Sequence, residues 1–97
     1  MTYKILYLKI IKHDRKAIKQ YLSQYSATAA KRLFEKIKNN MELVKENPYM
    51  YETFKAQPQF RRMVIDDFLL FYKVIEENKV IEVHHILYGK IDYEKFF

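Results

Sequence analysis

The densest apolar pattern of the chain lies in residues 60–89, where it predicts three consecutive antiparallel strands. The predicted strands span residues 60–65, 68–75 and 80–88. Short acidic side chains at residues 66–67 and a polar stretch at residues 76–79 separate them, and such residues favour tight turns. Apolar residues occupy both faces of the middle strand, so we predict a central strand that is covered on both sides.

The third predicted strand has two distinct faces if its side chains alternate without interruption. One face would carry Val80, Glu82, His84, Ile86 and Tyr88, and the other Ile81, Val83, His85 and Leu87. We expect the helices to pack on the second set. Because His84 and His85 are neighbours on a strand, they would project to opposite faces and could not bind one metal ion together.

Before this unit, the pattern predicts one strand and a first helix. Residues 3–11 alternate as a strand, and we place it at an edge of the same sheet, where Lys4 and Lys9 would discourage unwanted pairing. Residues 13–25 predict the helix, with Asp14 as its N-cap. The apolar stripe of this helix consists of Ile18, Tyr21, Leu22 and Tyr25.

A second helix is predicted between a cap at Ser26 and the pair Asn47-Pro48, because proline cannot continue a helix. The link between the helices is short, so they should form a hairpin. Residues 48–59 show no clear period and are predicted to be an ordered loop. The element order is therefore β-α-α-β-β-β, an α+β fold in which an N-terminal helical hairpin packs on an antiparallel sheet. With 97 residues, we predict one domain that spans residues 1–97.

Positive charge is concentrated at the front of the chain. The chain up to Asn40 contains ten basic and two acidic residues, whereas the net charge of the whole chain is +6. Four of the cations stand at helical spacing on the first predicted helix: Lys12, Arg15, Lys16 and Lys19. Such a stripe predicts a polyanionic partner, although a solvated helix surface explains it equally well.

Composition excludes several kinds of chemistry. Cysteine is absent, which removes disulfides and thiolate chemistry, and the single glycine, Gly89, leaves no phosphate-binding loop. We therefore expect no cofactor and no metal site. The apolar run near the start is too short and too charged for a membrane span or a signal peptide, which predicts a cytoplasmic protein without membrane contact.

The remaining candidates for chemistry are basic and aromatic side chains near the end of the chain. RNA cleavage without a metal needs a base for the 2′-hydroxyl, cations for the phosphate and an acid for the leaving oxygen. The candidates are Arg61, Arg62, Lys73, His84, Tyr88, Lys90, Tyr93, Phe96 and Phe97. On an exposed face, the same residues would serve binding alone.

Two stretches give the chain a family resemblance. The hairpin segment AIKQYLSQYSATAAKRLFEKIKNNMELVKENP and the segment FRRMVIDDFLLFYKVIEENKVIEVHHILYG with its tail IDYEKFF resemble toxins of the RelE/ParE superfamily from bacterial type II toxin–antitoxin systems. The resemblance covers nearly the whole chain. It implies the β-α-α-β-β-β fold, a toxin that inhibits growth, and a cognate antitoxin that neutralises it. The basic stripe (Lys12, Arg15, Lys16, Lys19) with Phe96 and Phe97 would then contact a partner.

Members of this superfamily differ in their target. RelE-like members cut mRNA on the ribosome, whereas ParE-like members inhibit DNA gyrase. The residues that RelE-like toxins use are replaced here by Leu69, Ile91 and Phe97, so the resemblance leans toward gyrase inhibition. In the alternative, a metal-independent, ribosome-dependent endoribonuclease, the catalytic residues would come from Arg61, Arg62, His84, Lys90 and Tyr93. A non-toxic module that only binds its antitoxin is the third possibility.

Overall fold

The computed structural model describes residues 2–91 and 93–97, the side chains of residues 93 and 94 excepted. Two helices pack on one face of a five-stranded sheet with the order β1-β5-β4-β3-β2. The elements are β1 (Lys4–Tyr7), α1 (Lys9–Ser23), α2 (Ala29–Glu46), β2 (Thr53–Phe54), β3 (Gln57–Ile65), β4 (Phe68–Ile75), β5 (Val80–Tyr88) and a final 3-10 helix (Tyr93–Phe96). The predicted α+β class is confirmed.

The strands agree closely with the prediction in the second half of the chain. The bounds of β4 and β5 are those predicted, and β3 begins three residues earlier than expected. Strand β2 was not predicted, because two residues within the irregular stretch 48–59 carry no period of their own. The N-terminal strand does lie at an edge of the sheet, where it pairs in parallel with β5.

The first helix begins earlier than predicted, which corrects two expectations. Strand β1 ends at Tyr7, and the backbone N–H of Leu8 makes the last bond to the carbonyl of Val83. Ile11 and Ile18 are both buried at helical spacing, so burial favours a helix where residues 9–11 were predicted to continue the strand. Asp14 is therefore not an N-cap: it lies within α1 and is buried. The N-cap is Leu8.

The second helix also starts at a different residue. Ser26 is not its cap, because Thr28 precedes the first helical residue, Ala29. The Oγ of Ser26 instead accepts a hydrogen bond from the backbone N–H of Thr28 at 3.3 Å, which stabilises the link between the helices. The end of α2 at Glu46, just before Asn47-Pro48, is as predicted.

Strand β5 contains a bulge that reverses the phase of its side chains. Phe71 pairs with His85 and Tyr72 pairs with Val83, so His84 is one extra residue. Beyond the bulge, Ile86 joins the helix-covered core and Leu87 joins the opposite face. The expectation that Leu87 and His85 share the helix-covered face with Val83 is wrong for this reason.

Apolar side chains are buried on both faces of the sheet. The main core lies between the helices and the sheet. The opposite face, which we call the open face, buries a second cluster that consists of Phe54, Phe60, Leu69, Phe71 and Leu87. Phe97 packs over this cluster. The predicted covering of β4 on both sides is thus confirmed, and the last residue of the chain supplies part of it.

Candidate functional site

The bulge in β5 is held in place by the carboxylate of Asp14. Strand β1 pairs with β5 only as far as Val83, so α1 lies beside β5 where the partner strand has ended. Asp14 Oδ2 accepts a hydrogen bond from the backbone N–H of Ile86 at 3.0 Å and lies 3.1 Å from Nδ1 of His85. With 6% of its surface exposed, Asp14 is a positioning residue that replaces a strand partner.

The bulge brings both histidines to the open face, which contradicts the prediction of opposite faces. The ring of His84 contacts that of Phe60 at 4.8 Å, and its Nε2 lies 3.1 Å from Oε1 of Glu82. The ring of His85 contacts those of Phe96 and Phe97. No group of three His, Cys, Asp or Glu side chains suited to a metal ion occurs among the described residues.

The two neighbouring arginines have different environments. Arg61 donates from Nη1 to the carbonyl of Tyr51 at 2.6 Å, and its guanidinium lies 4.8 Å from the ring centroid of Tyr49. It therefore fixes the loop before β2. Arg62 is paired with Phe71 of the open-face cluster, and its Nη2 lies 3.6 Å from the carboxylate of Glu52. Its Nε is buried and has no hydrogen-bond partner in the described part of the chain.

Arg62 shares a shallow depression of about 370 Å³ with Lys90. Gly89 forms part of its lining, and a Cβ at this residue would come within 3.1 Å of the carbonyl oxygen of Asp67, a tight contact. His84 lies four residues before the end of β5 at Tyr88, about 13 Å along the strand, and Lys90 lies in the turn that follows. Of the described candidates, Arg62 and Lys90 therefore lie together, whereas His84 lies farther back along β5 and Arg61 binds the loop before β2. The side chain of Tyr93, also predicted as catalytic, lies outside the described residues.

The four basic residues of the predicted partner-binding stripe are all exposed: Lys12, Arg15, Lys16 and Lys19. In addition, the guanidinium of Arg15 lies 4.8 Å from the ring centroid of Phe34 on α2. The only acid in α1 is the inward-facing Asp14. All charged side chains that α1 presents to solvent are therefore basic.

Three tyrosines form a ridge beside this helix. Tyr88 contacts the core residue Phe68, Tyr21 contacts Tyr88, and Tyr25 contacts Tyr21, with ring centroids 5.6, 5.3 and 5.5 Å apart. We call Tyr21, Tyr25 and Tyr88 the tyrosine ridge. The sequence predicted Tyr21 and Tyr25 as part of a packed stripe, but 71% of the surface of Tyr25 is exposed. Tyr25 follows the last helical residue, Ser23, so helical spacing no longer directs it toward the core.

Comparison with known proteins decides the family. A family model described as the ParE toxin of a type II toxin-antitoxin system, parDE, matches residues 5–93. The chain belongs to this ParE toxin family. The RelE/ParE superfamily predicted from the sequence is thereby confirmed. Comparison with curated proteins gives no significant match.

Solved toxins share the fold of this ParE-family chain at low sequence identity. A mutant of the E. coli toxin RelE in the free state is 16% identical, with a TM-score of 0.70 over 99% of this chain and 93% of that one. The chromosomal ParDE system of P. aeruginosa gives 14% identity and a TM-score of 0.73 over 92% of this chain and 98% of that one. The toxin–antitoxin complex RelBE2 of Mycobacterium tuberculosis gives 8% and 0.63, over 91% of this chain and 99% of that one.

The open face of this ParE-family chain is apolar at its centre. Leu69, where the resemblance to RelE would place an arginine, is buried in the second cluster. Phe97, where it would place a tyrosine, packs against Phe60 and Phe71 with centroids 4.9 and 4.8 Å apart. Ile91 is exposed beyond the end of β5.

No helix among the described residues is long and apolar enough to cross a membrane.

Proposed function

We propose that the chain is the growth-inhibiting toxin of a toxin–antitoxin pair and that it acts by binding DNA gyrase without cutting RNA. The observation that supports this proposal is the packing of the open face. Cleavage of RNA without a metal needs an acid, a base and cations that converge within hydrogen-bond reach of one phosphate. Here Phe97 packs against both Phe60 and Phe71 at the centre of that face. The charged candidates lie around it.

One observation favours the alternative, a RelE-like ribosome-dependent endoribonuclease. Arg62 and Lys90 line the same depression, and the unpartnered Nε of Arg62 is a donor that a phosphate oxygen would satisfy. His84, beside Glu82, would be the proton-transfer group in this alternative. The distance between His84 and Lys90 weighs against it, because both would have to act on one phosphate.

The two activities are separable in one set of assays. We expect the purified chain to inhibit supercoiling by gyrase and to leave mRNA intact in toe-printing of translating ribosomes. For an endoribonuclease, Arg62→Ala or His84→Ala would lower cleavage by about 10² to 10⁴. Ribosomal A-site cuts that disappear in either variant would overturn the proposal. Inactivity in both assays, with a folded chain that still binds an antitoxin, would support the non-toxic binding module instead.

We further propose that a small antitoxin encoded beside this chain covers part of its surface. Solved relatives with the same fold include the ParDE system and the RelBE2 complex. In this chain, Leu6 and Tyr7 of β1 are exposed at the edge of the sheet, and an edge strand is a common docking site for an extended segment. Co-expression with the product of the neighbouring gene should give a complex on size exclusion, and separate elution of the two proteins would contradict this.

A further inference from the structure

The tyrosine ridge extends outward from the main core. Tyr88 is partly buried against that core, while Tyr21 and Tyr25 are exposed and belong to neither buried cluster. Each ring contacts the next, so the outer two are held on the inner one. Burial of apolar surface therefore accounts for the position of Tyr88 and for part of that of Tyr21, but it does not account for the position of Tyr25, which is 71% exposed.

The hydroxyl groups of the ridge lie close enough to act on one another's pKa values. The hydrogen bond between Tyr21 and Tyr88 raises the pKa of Tyr21, and the one between Tyr25 and Tyr21 raises the pKa of Tyr25. Because each ring is held against the next, the ridge is preorganised, and side chains that are already ordered lose little conformational entropy when a partner binds.

The charges around the ridge indicate the chemistry of its partner. Lys90 lies close enough to Tyr21 to act on its pKa, and α1, which carries Tyr21, presents only basic charged side chains to solvent. A segment rich in Asp and Glu complements this surface. Nucleic acid is also acidic, but bases stack on free ring faces, and Tyr21 already contacts rings at 42° and 63° to its own plane. A protein segment contacts ring edges and hydroxyls equally well.

We propose that the tyrosine ridge, together with Lys90, is the anchor that holds an acidic segment of the toxin's protein target. This inference rests on the proposed function, because it assigns the contact surface for gyrase. Exposed, preorganised tyrosines beside basic residues are typical of the few side chains that dominate binding at an interface.

The test compares alanine variants of the ridge with a control elsewhere on the helical layer. Tyr21→Ala and Tyr25→Ala should each raise the concentration needed for half-inhibition of supercoiling by about tenfold or more. Leu43→Ala, at a residue of α2 that is also exposed and apolar, should leave that concentration unchanged. Thermal unfolding checks that all three variants are folded, and we expect little change for Tyr25→Ala because that side chain is largely exposed.

The outcomes separate the ridge from the proposed function. If the wild-type chain inhibits gyrase and both ridge variants inhibit it equally well, the ridge proposal is wrong and the proposed function stands. If the wild-type chain does not inhibit gyrase, the proposed function fails first and the ridge proposal falls with it. Binding of a single-stranded RNA oligonucleotide, measured by fluorescence anisotropy and lost in the ridge variants alone, would assign the ridge to nucleic acid and overturn the proposal.

Discussion

The buried carboxylate of Asp14 joins the helical layer to the sheet. Aspartate is favoured both at helix N-caps and wherever a buried N–H needs an acceptor, and nothing local distinguishes the two roles. What decides between them is the backbone N–H of Ile86, which lies 72 residues away in sequence. For this reason the sequence predicts an important polar group at residue 14 but not the partner that it serves.

Removing the Asp14 carboxylate should destabilise the fold. In Asp14→Ala the buried N–H of Ile86 loses its acceptor, which costs about 1 to 3 kcal/mol. Asp14→Asn keeps an acceptor oxygen and should cost less. Urea unfolding measures both, with Lys12→Ala as the control at an exposed residue of the same helix, where we expect a change within about 0.5 kcal/mol. Equal stability of Asp14→Ala and the control would show that this bond has no net effect.

Tyr72 is the second polar residue that connects distant parts of the fold. Its hydroxyl donates to the carbonyl of Pro48 at 2.7 Å, which ties the loop after α2 to the centre of the sheet. Burial raises the pKa of Tyr72 to about 12, although the nearby Arg61 acts in the opposite direction. The folded chain therefore keeps this proton at a pH where the unfolded chain has lost it.

The raised pKa of Tyr72 predicts a loss of stability in alkali. Between pH 10 and 12 the unfolded state binds fewer protons than the folded state, so the free energy of unfolding should fall as the pH rises. The part due to Tyr72 is about 2 kcal/mol over this interval. Tyr72→Phe should remove this part, and should cost about 1 kcal/mol at neutral pH through the lost hydrogen bond. Parallel curves of unfolding free energy against pH for the two proteins would contradict the assignment.

Nearby residues determine the bounds of strand β5, whereas its bulge involves residues that are distant in sequence. Its bounds follow from β-branched and aromatic residues between two turns, and the sequence predicts them correctly. The bulge at His84 is not visible in this pattern, because the hydrogen bond from Ile86 to α1 accompanies it and α1 is remote in sequence. One extra residue then exchanges the faces of Ile86 and Leu87. The composition of the open face was mispredicted for that reason alone.

Deleting the bulge residue should be tolerated better than deleting its neighbour. Without His84, strict alternation still places Val83 and Ile86 in the helix-covered core, so we expect a folded chain with a modest loss of stability. Deleting Glu82 instead forces either Ile81 or Val83 out of that core, which should cost several kcal/mol. Circular dichroism and urea unfolding of the two deletion variants test this. A stable chain without Glu82, or an unfolded one without His84, would contradict the face assignment.

The molecule as a whole combines a correctly predicted fold class with predicted site residues of which only some lie together. The antiparallel order of β3, β4 and β5 follows from short turns between consecutive strands, whereas the parallel pairing of β1 with β5 joins distant parts of the chain. By contrast, whether charged side chains converge depends on which strands become neighbours. Arg61 and Arg62 are adjacent in sequence, yet one fixes a loop and the other lines a depression with Lys90. Exposed clusters built across elements, such as the tyrosine ridge, leave only the spacing of Tyr21 and Tyr25 as a signal.

The basic surface of α1 gives the last prediction. Reversing Lys12, Lys16 and Lys19 to glutamate lowers the net charge from +6 to zero and should weaken binding of an acidic target or antitoxin. Stability should change by only about 0.5 kcal/mol per site, because these side chains are exposed. Arg15→Glu should cost more, since it also removes the contact with the Phe34 ring, worth about 0.5 to 1 kcal/mol.

A matched variant separates the position of the charge from its total. Lys38→Glu, Lys55→Glu and Lys95→Glu, made together at exposed residues outside α1, change the net charge by the same amount. We expect this variant to bind more tightly than the α1 variant in a pull-down with the antitoxin or target. Raising the ionic strength should weaken partner binding by the wild-type chain until it approaches that of the α1 variant. The reason is that charges more than about 10 Å apart are largely screened at 0.1 M salt. Equal weakening by both triple reversals would mean that the total charge, and not the surface of α1, attracts the partner.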